Sequence, residues 1–295
     1  MQRETVESSA DPLADHLVGL WARLPPRIVG QSRNQFGFVM LWAFAGSFAL
    51  AGVLGVIVLG YGSDSHAYYS AWDGATYDEL PGELDAYLYS PAFAQAIWPL
   101  VQLPWPVFAV LVSAAATVSL MWLLAPVPRK YRIPLLVMCL PEILTGNIFW
   151  LLALVAVWGS RFPALWALSA LTKILPTVGV VWFATRGEWR KLATTTCCTI
   201  AVSIVSYVAE PNLWAQWVRF LLSSAQEDGL ANSPIAPPLW LRAPAAILLT
   251  IYAARRDRPA WLPVAMLLTT PMLGHGAYAL LAAVPRLLRC RVMDG

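Results

Sequence analysis

Between Phe36 and Leu59 the chain runs for 24 residues without one charged side chain. As a helix such a run is about 36 Å long at 1.5 Å per residue. That length crosses a hydrocarbon core of roughly 30 Å. In lipid only a helix or a closed barrel satisfies its own backbone polar groups, so this stretch predicts a membrane-spanning helix. The rest of the chain repeats the pattern at shorter length. Of 295 residues, 58% are hydrophobic and 13% are charged, against about 25% charged in soluble domains. An ordinary soluble fold is excluded on that ground. The formal net charge of +3 is not a nucleic-acid signal. Lys and Arg fall in short clusters between apolar runs, which is the pattern of cytoplasmic loops.

Read in order, the runs predict an all-α polytopic membrane protein of about ten crossings with both termini inside. Residues 1–35, with Arg3, Arg23, Arg27 and Arg33, form a cytoplasmic N-terminal segment. Residues 36–288 form the transmembrane domain, with outer loops at 61–106 and 210–237, and 289–295 form a cytoplasmic tail. Residues 92–103 are apolar but only half a bilayer long, and Pro104 and Pro106 break the helix after them. They are expected to lie at the outer interface, so the first outer loop carries interfacial helices. A second crossing is expected from Val107 to Leu124.

The region 133–184 is harder. Its apolar runs are short, at 133–144, 147–158, 162–172 and 174–184. Two long crossings would put Lys173 at mid-membrane and Arg161 outside. Four short crossings would put Arg161 inside, with Asn147 and Lys173 at the outer surface. The charge distribution favours the second. Further crossings are expected at Leu192–Ala209, Pro238–Ala253, Trp261–Leu273 and Ala277–Leu288. Cys139, Cys197, Cys198 and Cys290 have no metal-ligand spacing and are read as unpaired thiols.

Polar chemistry concentrates in the first outer loop. Residues 62–91 carry six of the 17 acidic residues (Asp64, Asp73, Asp78, Glu79, Glu83, Asp85) and no Lys or Arg. Under the favoured topology the outer face collects Asp64, His66, Asp73, Asn147, Lys173, Arg219, Asn232, Arg242 and His275, with the neighbourhood of Glu142. An acid there can act as general base on a hydroxyl. Lys and Arg can stabilise a phosphate leaving group. Each residue also has a plainer role. Asp64 just past a span suits a helix N-cap, and Lys173 near a helix end suits snorkelling. Asn147 after Gly146 suits a tight turn, as does His275 between two glycines. The tyrosines suit interfacial anchors.

The motif order then carries a likeness. Gly62-Ser63-Asp64, Tyr68-Tyr69, Tyr87-Leu88-Tyr89-Ser90-Pro91 and Trp98-Pro99 follow one another. Gly146-Asn147 and Lys173-Ile174-Leu175-Pro176 come next, then Asn232-Ser233. Thr270-Pro271-Met272-Leu273-Gly274-His275-Gly276 matches part of a late Ser-Pro-x-x-Trp-x-His-His pattern, without its Trp and second His. In this the chain resembles glycosyltransferase family 87 of the GT-C membrane superfamily, over about residues 38–288.

The resemblance implies a GT-C-like bundle on the cell membrane with its active site on the extracytoplasmic face. It implies transfer, with inversion, of a sugar (mannose favoured, arabinose the alternative) from a polyprenyl-phosphate donor to a lipid or glycan acceptor. Asp64 would be the catalytic base. Lys173, Arg219 and Arg242 would hold the donor phosphate. His66, Tyr68, Tyr69, Asp73, Tyr89, Asn147, Asn232 and His275 would line the sugar and acceptor pocket. No cofactor and no divalent metal is expected, and the partners are the donor, the acceptor and membrane lipids. Two other readings compete. A lipid or glycan transporter or flippase would usually show internal repeats, and none is visible. A non-catalytic partner in envelope glycan assembly would fit the incomplete late motif.

Overall fold

The computed structural model describes residues 26–72, 76–79, 83–226 and 236–293. Most of the expected N-terminal segment lies outside these residues, as do Asp73 and Asn232. Every regular element among the described residues is helical.

Helix α1 spans Pro26–Leu59. It begins ten residues before the expected span, because the polar stretch from Pro26 to Gln35 is helical as well. Its apolar part, Gln35–Leu59, is long enough to cross a membrane. The helix stops where Gly60 turns left-handed at φ 93°, and the Gly60 N–H donates to the Val56 carbonyl at 3.0 Å. A short α2, Ser63–Ser70, follows. Helix α3, Pro91–Val101, is the expected half-bilayer segment. Helix α4, Trp105–Leu123, is a second candidate span.

The difficult region resolves into short pieces. They are α5 (Arg129–Met138), α6 (Leu140–Thr145), α7 (Phe149–Trp158), α8 (Trp166–Thr172) and α9 (Val180–Thr185). Tight 3₁₀ turns at Pro163–Leu165 and Leu175–Gly179 separate the last three. Helix α10, Trp189–Ala209, is the third candidate span. Then come α11 (Pro211–Gln226), α12 (Leu239–Arg255), α13 (Leu262–Leu268) and α14 (Val284–Met293). A 3₁₀ stretch, His275–Ala283, precedes the last of these.

Among the described residues, three helices are long and apolar enough to cross a membrane alone, where the sequence suggested about ten crossings. The reason is length. A ten-residue helix such as α7 covers about 15 Å, half of a hydrocarbon core. The short pieces therefore pack against one another. Helices α7 and α8 form a hairpin, α12 packs on α13, and the His275–Ala283 stretch lies against α6, α7 and α13.

The chain divides within α1 into Met1–Ala43 and Phe44–Gly295. The first unit contributes the beginning of α1. The second holds two apolar cores. One gathers Leu120, Leu152, Trp166, Phe183, Met266 and Leu280 between the short helices. The other is aromatic and lies around the first loop, with Tyr68, Tyr77, Tyr87, Tyr89, Phe93, Phe108 and Phe220. The second core fixes the loop that bears Asp64. Ser90 adds a tether, its Oγ donating to the Leu171 carbonyl at 2.5 Å.

Candidate active site

Asp64 owes its place to two left-handed glycines. Gly62 has φ 74° and is the N-cap of α2. Its N–H donates to the Leu144 carbonyl at 2.8 Å, which brings the start of α2 onto the end of α6. Gly146, φ 72°, ends α6. A Cβ at Gly146 would lie 2.5 Å from Ser65 Oγ, so only glycine allows this approach. Ser65 is fully buried and donates to the Gly62 carbonyl at 2.9 Å. Asp64 thus stands in the first turn of α2, where the helix dipole favours a carboxylate. The N-cap of α2 is Gly62, so no side chain caps the helix there. Asp64 Oδ2 accepts a hydrogen bond from Asn147 Nδ2 at 3.0 Å. Asn147 is also a turn residue, since its Oδ1 accepts the Ile148 N–H at 2.7 Å.

Lys173 arrives from the α7–α8 hairpin. Helix α8 ends at Thr172, and Lys173 is extended, φ −119°, before Pro176 begins a new turn. Its Nζ lies 4.2 Å from the centre of the Phe149 ring and 5.1 Å from that of Tyr89. Among the described residues no carboxylate lies within 4.0 Å of Nζ. Tyr89 and Tyr68 meet through their hydroxyls at 3.0 Å. Burial, with Tyr89 and Asp64 nearby, pushes the Tyr68 phenol well above its ordinary range, so it stays protonated and available as a donor.

Behind this group sits Glu142, fully buried. Its Oε1 accepts the Trp150 N–H at 3.0 Å. Asp64 and Lys173 both act on it electrostatically. Sequence reasoning named its neighbourhood and gave it no role. Its position one residue after Pro141, inside an apolar run, carried no spacing signal for a site.

The other expected residues fall elsewhere. His66 follows Asp64 by two positions, and residues so spaced on a helix do not share a face. Its Nδ1 pairs with Asp85 Oδ1 at 2.6 Å, and its ring meets Trp105 edge-on at 4.7 Å. It lines a cleft of about 620 Å³ with Leu59, Tyr61, Asp85, Trp105 and Val110. The Tyr69 hydroxyl donates to the Leu103 carbonyl at 3.1 Å. His275 is exposed, edge-on to Phe48 at 5.1 Å. The next residue, Gly276, touches Glu142: a Cβ there would lie 2.9 Å from Oε2.

Arg219 is exposed on α11. Arg242 is buried and bound to four carbonyls. Nε donates to Pro237 at 2.6 Å, Nη1 to Leu268 at 3.1 Å and Thr270 at 2.7 Å, and Nη2 to Pro271 at 3.1 Å. That arrangement is a backbone clamp.

The structure therefore brings together Asp64, Asn147, Tyr68, Tyr89 and Lys173, with Glu142 added. A carboxylate, an amide that orients it and a cation across from it are the parts needed to deprotonate a hydroxyl and to stabilise an anionic leaving group.

A model of glycosyltransferase family 87 matches residues 87–293. The match takes in Tyr89, Asn147, Lys173 and His275 and begins after Asp64. No curated protein and no solved structure matches the chain.

Proposed function

The chain belongs to glycosyltransferase family 87, which makes it a membrane glycosyltransferase, and on that premise we propose that it transfers a sugar from a polyprenyl-phosphate donor with Asp64 as general base. Mannose is the favoured sugar. The acceptor is a lipid or glycan hydroxyl on the extracytoplasmic face. The reaction as proposed draws on no cofactor beyond the lipid-linked sugar. Asp64 takes the proton of the acceptor hydroxyl. The acceptor oxygen forms a bond to the anomeric carbon from the face opposite the phosphate. The bond from that carbon to the phosphate oxygen breaks, and polyprenyl phosphate leaves with the electron pair. Attack from the opposite face inverts the anomeric centre, so a β-linked donor yields an α product. Lys173 balances the charge on the departing phosphate.

The observation that carries this reading is the Asn147–Asp64 hydrogen bond. It orients the carboxylate through Oδ2. Among the described residues Oδ1 has no hydrogen-bond partner, which suits an atom that is to accept a proton. Lys173 supports the same reading, since its ammonium rests on aromatic rings and has no carboxylate partner among the described residues.

The test is transfer from labelled polyprenyl-phosphate mannose, with the arabinose analogue in parallel, read as glycosylated lipid product. General bases contribute on the order of 100- to 10,000-fold. Asp64→Asn is expected to bind polyprenyl phosphate like wild type and to lose at least about 100-fold in turnover. Asp73→Asn is the control, and near-normal turnover by Asp64→Asn with loss in Asp73→Asn would transfer the role to Asp73.

A further inference from the structure

We propose that Glu142 is the positioning residue that holds Asp64 and Lys173 at their working separation. The inference rests on the functional reading above and adds to it a residue that the reading does not use.

The argument is one of connectivity. Glu142 closes the segment from its own position to Trp150 into a loop. At one end its carbonyl accepts the Gly146 N–H at 3.1 Å. At the other its carboxylate accepts the Trp150 N–H at 3.0 Å, and the Phe149 N–H contributes as well. These are the first two residues of α7, whose N–H groups have no partner within their own helix. Two residues inside the loop reach the site. Asn147 holds Asp64, and the Phe149 ring holds Lys173. The base and the cation come from segments more than 100 residues apart in sequence, and the Glu142 loop touches both.

The second carboxylate oxygen gives the independent observation. Oε2 is buried and, among the described residues, has no hydrogen-bond partner. It faces Gly276, where a Cβ would lie 2.9 Å away. Buried polar atoms without a partner are rare in folded proteins and mark strained or functional positions. The location beside Asp64, Lys173 and the residue after His275 ties the late part of the chain to the same centre.

Two variants in detergent-solubilised full-length protein separate reach from charge. Glu142→Gln keeps the reach of the acceptor and removes the charge. Glu142→Asp keeps the charge and withdraws the acceptor by one methylene. Hydrogen–deuterium exchange across residues 145–152 is read beside kcat and donor KM, using whichever of polyprenyl-phosphate mannose or arabinose wild type turns over. Misplacing a reacting group by about 1 Å costs on the order of 100-fold. Glu142→Gln, which keeps the acceptor for the Trp150 N–H, is expected to keep the exchange pattern of wild type and to rescue most of the turnover that Glu142→Asp loses. In Glu142→Asp, exchange at 147–150 should rise, kcat should fall by about 10- to 100-fold and donor KM should increase.

Equal activity of Glu142→Asp and wild type overturns the inference. So does a Glu142→Gln loss as large as that of Glu142→Asp, which would assign the effect to charge. Loss of turnover with unaltered exchange overturns it as well. Wild type that turns over neither donor fails the functional reading instead. The exchange measurement then decides on Glu142 alone, with unchanged protection in Glu142→Asp counting against it and opened protection for it.

Discussion

Lys173, half-buried, rests on aromatic rings and has no carboxylate beside it among the described residues. Contacts of that kind contribute about 0.5–2 kcal/mol, enough to aim the ammonium and too little to compete with a phosphate. Lys173→Ala should therefore weaken binding of polyprenyl phosphate by about tenfold or more, roughly the loss of one charged hydrogen bond. Lys173→Arg should retain part of it, because charge survives while the shape of the donor changes. Equilibrium binding of the labelled lipid decides, and unchanged affinity in Lys173→Ala would leave Lys173 as a snorkelling side chain. Asp64, Asn147 and Lys173 were legible in the sequence for one reason: each is a polar residue at the edge of an apolar run. Glu142 was not, because it lies within such a run and its partner is a backbone N–H eight residues on. His66 was grouped with Asp64 by closeness in sequence. On α2 a step of two residues turns its ring to Trp105 and Asp85 instead.

The turn between α6 and α7 concentrates the strain of the site. Gly146 is left-handed and leaves no room for a Cβ beside Ser65. Gly146→Ala should cost about 1–2 kcal/mol for the backbone conformation alone, and the clash adds to it by pushing α2 away. The expected outcome is a lower thermal midpoint together with lower turnover, since Asn147 and Asp64 separate. Adding Ser65→Gly should recover part of both, since the Oγ and Cβ of Ser65 would lie 2.5 and 2.7 Å from the new Cβ. A thermal shift and an activity assay on the three variants check this. The ends of the short helices α7, α8 and α9 were readable to within a residue or so from the breaks in the apolar runs. Helices α8 and α9 start later than expected, at Trp166 and Val180, because 3₁₀ turns take up the first residues of those runs. The start of α1 was not readable, because an apolar run marks where a helix meets lipid and says nothing of where a helix begins. The short pieces in 133–184 were expected from the sequence, but which of them pack on which was not. Hydropathy measures how well a segment avoids water and cannot tell lipid from protein as its alternative.

At the scale of the molecule, Arg161 and Arg286 gather at the end of α7 opposite the site. Helix α7 starts at Phe149, beside Lys173, and ends at Trp158, stacked on Trp122 at 5.7 Å. Around that far end Arg286 lies 4.0 Å over Trp122 and Arg161 lies 5.3 Å over Phe162. A cysteine placed at Arg161 should react with a membrane-impermeant reagent only from the cytoplasmic side, following the positive-inside distribution. Labelling from outside would put the Asp64 cluster on the wrong face for the proposed reaction. Helix α10 is mostly exposed, and Val205 and Val208 are each 72% exposed, so this candidate span presents an apolar flank. Arg242, finally, grips the backbone and ignores the side chains it passes. It binds the carbonyls of Pro237, Leu268, Thr270 and Pro271, groups that every amino acid supplies. What the clamp itself reads is the spacing of these carbonyls and not the side chains that carry them. Pro271→Ala should pass unnoticed in a thermal melt. One alanine inserted after Thr270 would shift the register of the carbonyls and leave a buried guanidinium facing the wrong atoms. For this clamp, adding a residue is the costly change, and altering a side chain that leaves the backbone in place is the cheap one.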